Sequence, residues 1–355
     1  MNSKAMIYPL LSVLIFSLLS TATFGDQPIS DLDAIVQRPG KTVNQALQNH
    51  RVKIAFATPL KQISDYWRRS IDSFKGRMDE IGLKYEITEY STRSDEGRKL
   101  QECIRQAMAK KPDYLVLTLN APDDLAVVSR LLVNSDVKVI VQNIVTPVEE
   151  WEAAPPFMYV GFDHTVGASL IAAEYKARFK NKQNIRYAML YYIRGSKVSE
   201  LRGDYFNDLV AEDAFKPVAE YYTDGNRKKA KAATLKILEK HSDLSFIHAC
   251  STDVAFGALD ALKERGMTGR IAVNGWGGGA AELESIFSGK LDFTVMRMND
   301  DNGVAMAEAI RIDLERGPEK LPVIYSGKMV IVRQGISKKD LRKLEQKAFR
   351  YSGND

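Results

Sequence analysis

VKIAFATPLKQISDYWRRSIDSFKGRMDEIGLKYEITEY, residues 52–90, holds one complete strand, helix and strand in succession. Val52–Pro59 is a short apolar run of strand length. Apolar side chains then fall at Trp67, Ile71, Phe74, Met78 and Ile81, spaced by three and four, the period of a helix with one buried face. Lys84–Tyr90 follows as a second strand-like run. Short β runs separated by a helix of ten to fifteen residues specify a βαβ crossover, and hence a parallel sheet.

Working outward, the unit recurs. Strand-like runs at Tyr114–Leu119, Val137–Val145 and Met158–Phe162 extend the first sheet. Ile185–Ile193, Val218–Tyr222, Ser245–Cys250, Ile271–Asn274 and Phe293–Met298 then alternate with helical patterns near 200–212, 227–240, 254–265 and 280–288, giving a second sheet of similar size. A helix near 301–316, a strand Lys328–Arg333 and a charged helix from Ser337 complete the pattern. The 355 residues exceed the usual ~100–200 per domain. The fold expected is therefore α/β, two doubly wound parallel-sheet lobes with a hinge and one cleft between them. The lobe boundaries expected are 51–162 plus 297–326 and 163–296 plus 327–355, with residues 26–50 as an amino-terminal arm.

The first residues carry one early cation, Lys4, then an uncharged apolar run from Ile7 to Ala22 that ends in small residues. That is the layout of a signal peptide over 1–25, and it places the mature protein in the periplasm. The run is short for a spanning helix, polar Asp26-Gln27-Pro28 follows it, and no later stretch is apolar for long enough to cross a bilayer. No cysteine lies near the cut to take a lipid. The formal net charge is +5, falling to +4 without Lys4, too weak to argue for nucleic acid. The densest basic run, Arg227-Lys228-Lys229 with Lys231, backs onto Ala, Leu and Ile and reads as a solvated helix face. Cys103 lies on an apolar helical stripe and Cys250 ends a strand, so two buried free thiols are expected rather than a disulfide.

In open parallel sheets ligands bind beyond the carboxyl ends of the strands. The residues there are Gln62, Ser64 and Trp67 after the first strand and Asn143 after the fourth. In the second half they are Arg202, Thr252, Asp253, Trp276 and Arg297. Each has a plainer reading: Ser64 as a helix cap, Trp67 as core, Asn143 and Thr252-Asp253 as turn or cap residues, the arginines as surface ion pairs. Together they form a set that grips a hydroxylated or anionic molecule, with flat aromatic faces, two guanidinium forks and short polar side chains.

Enzyme signatures are mostly missing. His50, His164, His241 and His248 have no metal-ligand spacing, and neither a nucleophile elbow nor a phosphate loop ending in Lys-Ser/Thr occurs. Gly275-Trp276-Gly277-Gly278-Gly279-Ala280 formally fits a dinucleotide fingerprint, but that loop belongs to the first βα unit, where this chain has no glycine. The glycines read instead as letting backbone amides approach a ligand beneath Trp276.

The order of elements over roughly 50–335 resembles the ribose-type (class I) periplasmic binding family. Gln62-Ile-Ser64-Asp-Tyr-Trp67, Val-Gln-Asn143, Leu-Arg202-Gly-Asp, Ser-Thr252-Asp253, Asn-Gly-Trp276-Gly and Met-Arg297-Met, taken in order, are similar within it to the autoinducer-2 receptors of vibrios. The resemblance implies crossovers near Phe162-Asp163, Arg297–Asp300 and before Lys328. It further implies no enzymatic activity and no cofactor. The ligand it implies is a furanose-like borate diester, with boron as part of the ligand and Arg202 and Arg297 flanking its charge. The partner implied is the periplasmic domain of a membrane sensor histidine kinase. Three rivals stand beside it: a sugar carrier feeding an ABC transporter, an NAD-type enzyme, and a two-lobed repressor, which would need a helix-turn-helix that the arm lacks.

Overall fold

The structure, a computed structural model, describes residues 32–59, 63–92, 99–121, 123–212 and 214–353. The proposed signal peptide and Gln62 lie outside them. Among the described residues twelve strands form: β1 Arg51–Thr58, β2 Lys84–Ser91, β3 Tyr114–Leu117, β4 Lys138–Gln142, β5 Met158–Gly161, β6 Ile185–Tyr191, β7 Phe215–Tyr222, β8 Phe246–Ala249, β9 Ala272–Gly277, β10 Phe293–Arg297, β11 Ile324–Ser326 and β12 Met329–Arg333. They assemble as two six-stranded sheets, β11-β5-β4-β3-β1-β2 and β12-β10-β9-β8-β6-β7. Every pairing is parallel except β10 with β12. This is the expected pair of α/β lobes. Central strands read as continuous apolar runs because helices cover both their faces; Tyr114–Leu117 is buried at all four positions.

The helix Tyr66–Ile81 buries Trp67, Ile71, Phe74, Met78 and Ile81, the stripe that its spacing specified, and ends on Gly82 at φ 71°, a left-handed position suited to glycine. Its neighbour in the first lobe is Asp300–Arg316, whose Gly303 lets the two backbones close up: a Cβ there would meet Ser73 and the Ser70 carbonyl. The chain passes between the sheets three times. It leaves β5 for the helix His164–Arg178, leaves β10 for Asp300–Arg316, and runs from β11 to β12 through Gly327-Lys328. These passages lie side by side, tied by Gly327 N to Gly161 O at 2.8 Å and Met298 N to Lys328 O at 2.9 Å.

Two elements depart from the sequence reading. Ile324–Ser326 is an edge strand of three residues, shorter than any periodicity resolves. His164–Arg178 buries mainly small residues, Gly167, Ala168 and Ala172, beside Ile171 and Tyr175, so its apolar face is faint in sequence. Among the described residues no helix is long and apolar enough to cross a membrane. Cys103 and Cys250 are both buried, and neither is in a disulfide. The basic run on Arg227–Lys240 is half-exposed and tied down by Asp224, Asp260 and Glu264.

Candidate functional site

Ser64, Trp67, Asn143, Arg202, Thr252, Asp253, Trp276 and Arg297 line one cavity, at the carboxyl ends of both sheets where the lobes face each other. All eight described residues singled out in the sequence are therefore brought together. Tyr66, Asn120, Tyr192, Val198 and Ser251 complete the lining. The enclosed space is small, about 40 Å³, well below the usual size of small-molecule sites. The lobes touch across it. Ile63 N approaches Asp253 Oδ1 at 3.5 Å, Ala280 N donates to Asp65 Oδ2 at 3.2 Å, and Arg297 Nη1 donates to Asn143 Oδ1 at 3.4 Å.

The arginines are not surface ion pairs. Arg202 is 5% exposed and Arg297 4%, and among the described residues no carboxylate bridges to either. Arg202 lies on a π-turn, Glu200–Asp204, a form that concentrates at functional positions. Gly203 is required beside it, since a Cβ would fall 2.2 Å from the Tyr191 ring, while Asp204 accepts from Tyr191 Oη at 2.7 Å. The fork of Arg202 donates to the Cys250 carbonyl at 3.0 Å, meets His164 Nε2 at 3.4 Å and stacks over Trp276 at 4.7 Å. Arg297 lies over Tyr66 at 4.2 Å. Both Nε atoms are buried without a hydrogen-bond partner among the described residues.

Burial, and then the like charge of Arg297, push the Arg202 pKa down to about 9, which leaves it charged at neutral pH. Burial also lowers that of Arg297. Burial, helped by the two arginines, holds His164 neutral well below its usual range. The only nearby carboxylate of the lining, Asp253, has its pKa raised by burial, against the pull of the Ile63 and Ser64 amides. The cavity thus has a positive wall.

The plainer readings of the polar residues resolve one by one. Asp65, not Ser64, occupies the position before the helix Tyr66–Ile81. Ser251, not Thr252 or Asp253, caps Thr252–Glu264, accepting from Val254 N. Thr252 Oγ1 donates to the Trp276 carbonyl at 2.9 Å. Asn143 does take a turn conformation, φ 72°, which aims its amide at Arg297. Trp67 is 4% exposed and packs on Tyr66 and Phe162, so it belongs to a small core cluster as well as to the lining.

One expectation is corrected. The glycine-rich loop does not offer its amides to a ligand, because the fully buried Glu282 takes them: Trp276 N at 3.0 Å and Gly278 N at 2.8 Å, with Thr294 Oγ1 at 2.6 Å. A side chain at Gly275 would strike that carboxylate at 2.7 Å. An internal anion therefore fills the place a pyrophosphate would need, which removes the dinucleotide reading. Glu282 is the third residue of its helix, where a carboxylate commonly reaches back to free amides.

Residues 54–315 match the model of the family described as periplasmic binding protein domain. The chain belongs to that family. Its curated relatives include the ribose import binding proteins RbsB of Salmonella typhimurium, 27% identical over 168 residues (46% of this chain, 55% of that protein), and of Escherichia coli, 27% identical over 150 residues (42% and 50%). The chain spans about half the length of these relatives. Solved structures of the same fold include an ABC transporter periplasmic solute-binding protein of Actinobacillus succinogenes with bound D-allose, TM-score 0.68, 21% identical, covering 82% of this chain and 99% of that one. A Mycobacterium smegmatis protein in complex with β-D-fucofuranose has TM-score 0.71 at 15% identity, covering 84% and 97%. The relatives named here are described as binding proteins.

Proposed function

We propose that the cleft closes around a compact, furanose-like polyhydroxylated ligand that bears a negative charge between Arg202 and Arg297. One observation carries this reading: two buried guanidinium groups face the cavity, and among the described residues no carboxylate forms an ion pair with either. A buried cation left unpaired is costly, and an anionic ligand supplies the missing partner through bonds of ~1.5–3 kcal/mol each. Ser64, Asn120, Asn143, Thr252 and Asp253 then bind hydroxyls, while Trp67 and Trp276 supply apolar faces. Gln62, outside the described residues, is proposed from the sequence as a further ligand contact. A borate diester of a cis-diol is both hydroxylated and anionic, and the autoinducer-2 adduct bound by receptors such as LuxP is such a molecule. On this reading residues 1–25 direct export, the lobes are 51–162 plus 297–326 and 163–296 plus 327–355, and closure is read by the periplasmic domain of a membrane sensor histidine kinase.

A second reading is favoured by the curated relatives named above, which are ribose import proteins: a neutral sugar handed to an ABC transporter. Mass spectrometry of ligand released from the purified protein, with a boron assay, separates the two. A boron-containing furanose adduct supports the first; a neutral pentose or hexose without boron supports the second.

A further inference from the structure

The helix Lys338–Ala348 packs Leu341, Leu344 and Ala348 into the second lobe, and Phe349 lies in the same apolar cluster. From the next residue onward the chain is bound to the first lobe. Arg350 pairs with Asp301 at 2.5 Å and donates to the Val36 carbonyl of the arm at 3.0 Å. The buried Asp300, first residue of its helix after the passage from β10, accepts from Tyr351 N at 2.6 Å, Ser352 N at 2.9 Å and Ser352 Oγ at 2.7 Å. The Tyr351 hydroxyl receives Arg77 at 2.9 Å. The tail is thus a fourth link between the lobes, with no slack between Phe349 and Arg350.

Arg69 stands at its centre. The side chain is 1% exposed and comes from the first lobe, yet its guanidinium stacks 3.8 Å above Phe349 of the second. It donates to Ser352 Oγ at 3.1 Å and to the Gly353 carbonyl, and its Nε bonds Asp65 Oδ2 at 2.6 Å. That same Asp65 oxygen accepts the Ala280 amide from across the cleft. A continuous chain of contacts therefore runs from tail to cleft: Ser352, Arg69, Asp65, Ala280.

We propose that residues 349–353 are a clasp which biases the cleft toward closure, acting through Arg69 on the Asp65–Ala280 bridge. Fixed by the tail, Arg69 presents Asp65 to the second lobe, so the tail and the bridge favour the same arrangement of the lobes. The clasp is independent of the ligand's identity.

Hydrogen exchange on the full-length, ligand-free protein tests it, comparing the parent with Ser352→Ala and Arg69→Met. Losing one or two such bonds is expected to speed exchange of the Ala280 amide by about two- to tenfold, with the central strands of both sheets unchanged. Ser352→Ala carries the test if Arg69→Met does not fold. Faster exchange confined to residues 349–353 and the helix Tyr66–Ile81, with Ala280 as in the parent, overturns the clasp.

Discussion

Replacing Arg202 by Met should stabilise the ligand-free protein. The guanidinium is buried, has no carboxylate partner among the described residues, and shares its cavity with Arg297. A pKa held down to about 9 by burial and by that neighbour corresponds, at ~1.4 kcal/mol per unit, to an upper bound of about 5 kcal/mol against the charged form. Guanidinium is weakly hydrated, so the true penalty is smaller. Against it stand the bond to the Cys250 carbonyl at 3.0 Å and the stacking on Trp276 at 4.7 Å, each contributing about 1 kcal/mol. Methionine keeps an apolar stem in the same space. The net expected gain is about 1–3 kcal/mol, in line with buried ions replaced by apolar residues elsewhere. Urea unfolding of ligand-free protein, followed by tryptophan emission, measures it. A loss of more than about 1 kcal/mol would refute the argument, because it would show that Arg202 is already compensated without ligand.

Three further outcomes follow from the same geometry. Burial depresses both His164 and His248, the latter to about 3, so their folded pKa values lie below the unfolded one; stability is complete above pH ~6.5 and falls as the pH drops. From pH 7 to 5 the loss should be about 2–4 kcal/mol by the same unfolding assay, and a flat profile would mean that the two rings are solvated. Gly203→Ala places a methyl on the Tyr191 ring; calorimetry should show ligand affinity reduced at least ~tenfold through displacement of Arg202, whereas an unchanged affinity would detach that turn from the site. Neither thiol should react with a disulfide reagent in the folded protein, since both are buried and burial pushes Cys250 up to about 12; rapid modification without denaturant would contradict the packing.

The two sheets were legible because each βαβ unit writes its own period, and the strand-end rule led directly to eight residues of the lining. The same rule also reaches Asn120, three residues after β3, and Tyr192, directly after β6. Tyr66 was hidden by its neighbour Trp67: at the first position of the helix it has no place in the apolar stripe, yet its hydroxyl receives Gln142 and Asn302 while Arg297 lies over its ring. Glu282 escaped because a glycine-rich loop looks open in sequence, and only the folded backbone shows a carboxylate turning back into it. The clasp was illegible for a different reason. Its contacts join residues 69 and 352, a separation across which no local pattern carries information.

The most direct test of the central claim is calorimetric titration of the parent, Arg202→Met, Arg297→Met and the double variant with the borate adduct of the autoinducer-2 precursor and, separately, with D-ribose. Binding should depend on borate, each single substitution should cost ~2–4 kcal/mol, and the double cost should be smaller than the sum because one charge is shared. Equal binding of the adduct by all four proteins, with D-ribose bound as tightly and borate without effect, would show that no anion is held between these arginines.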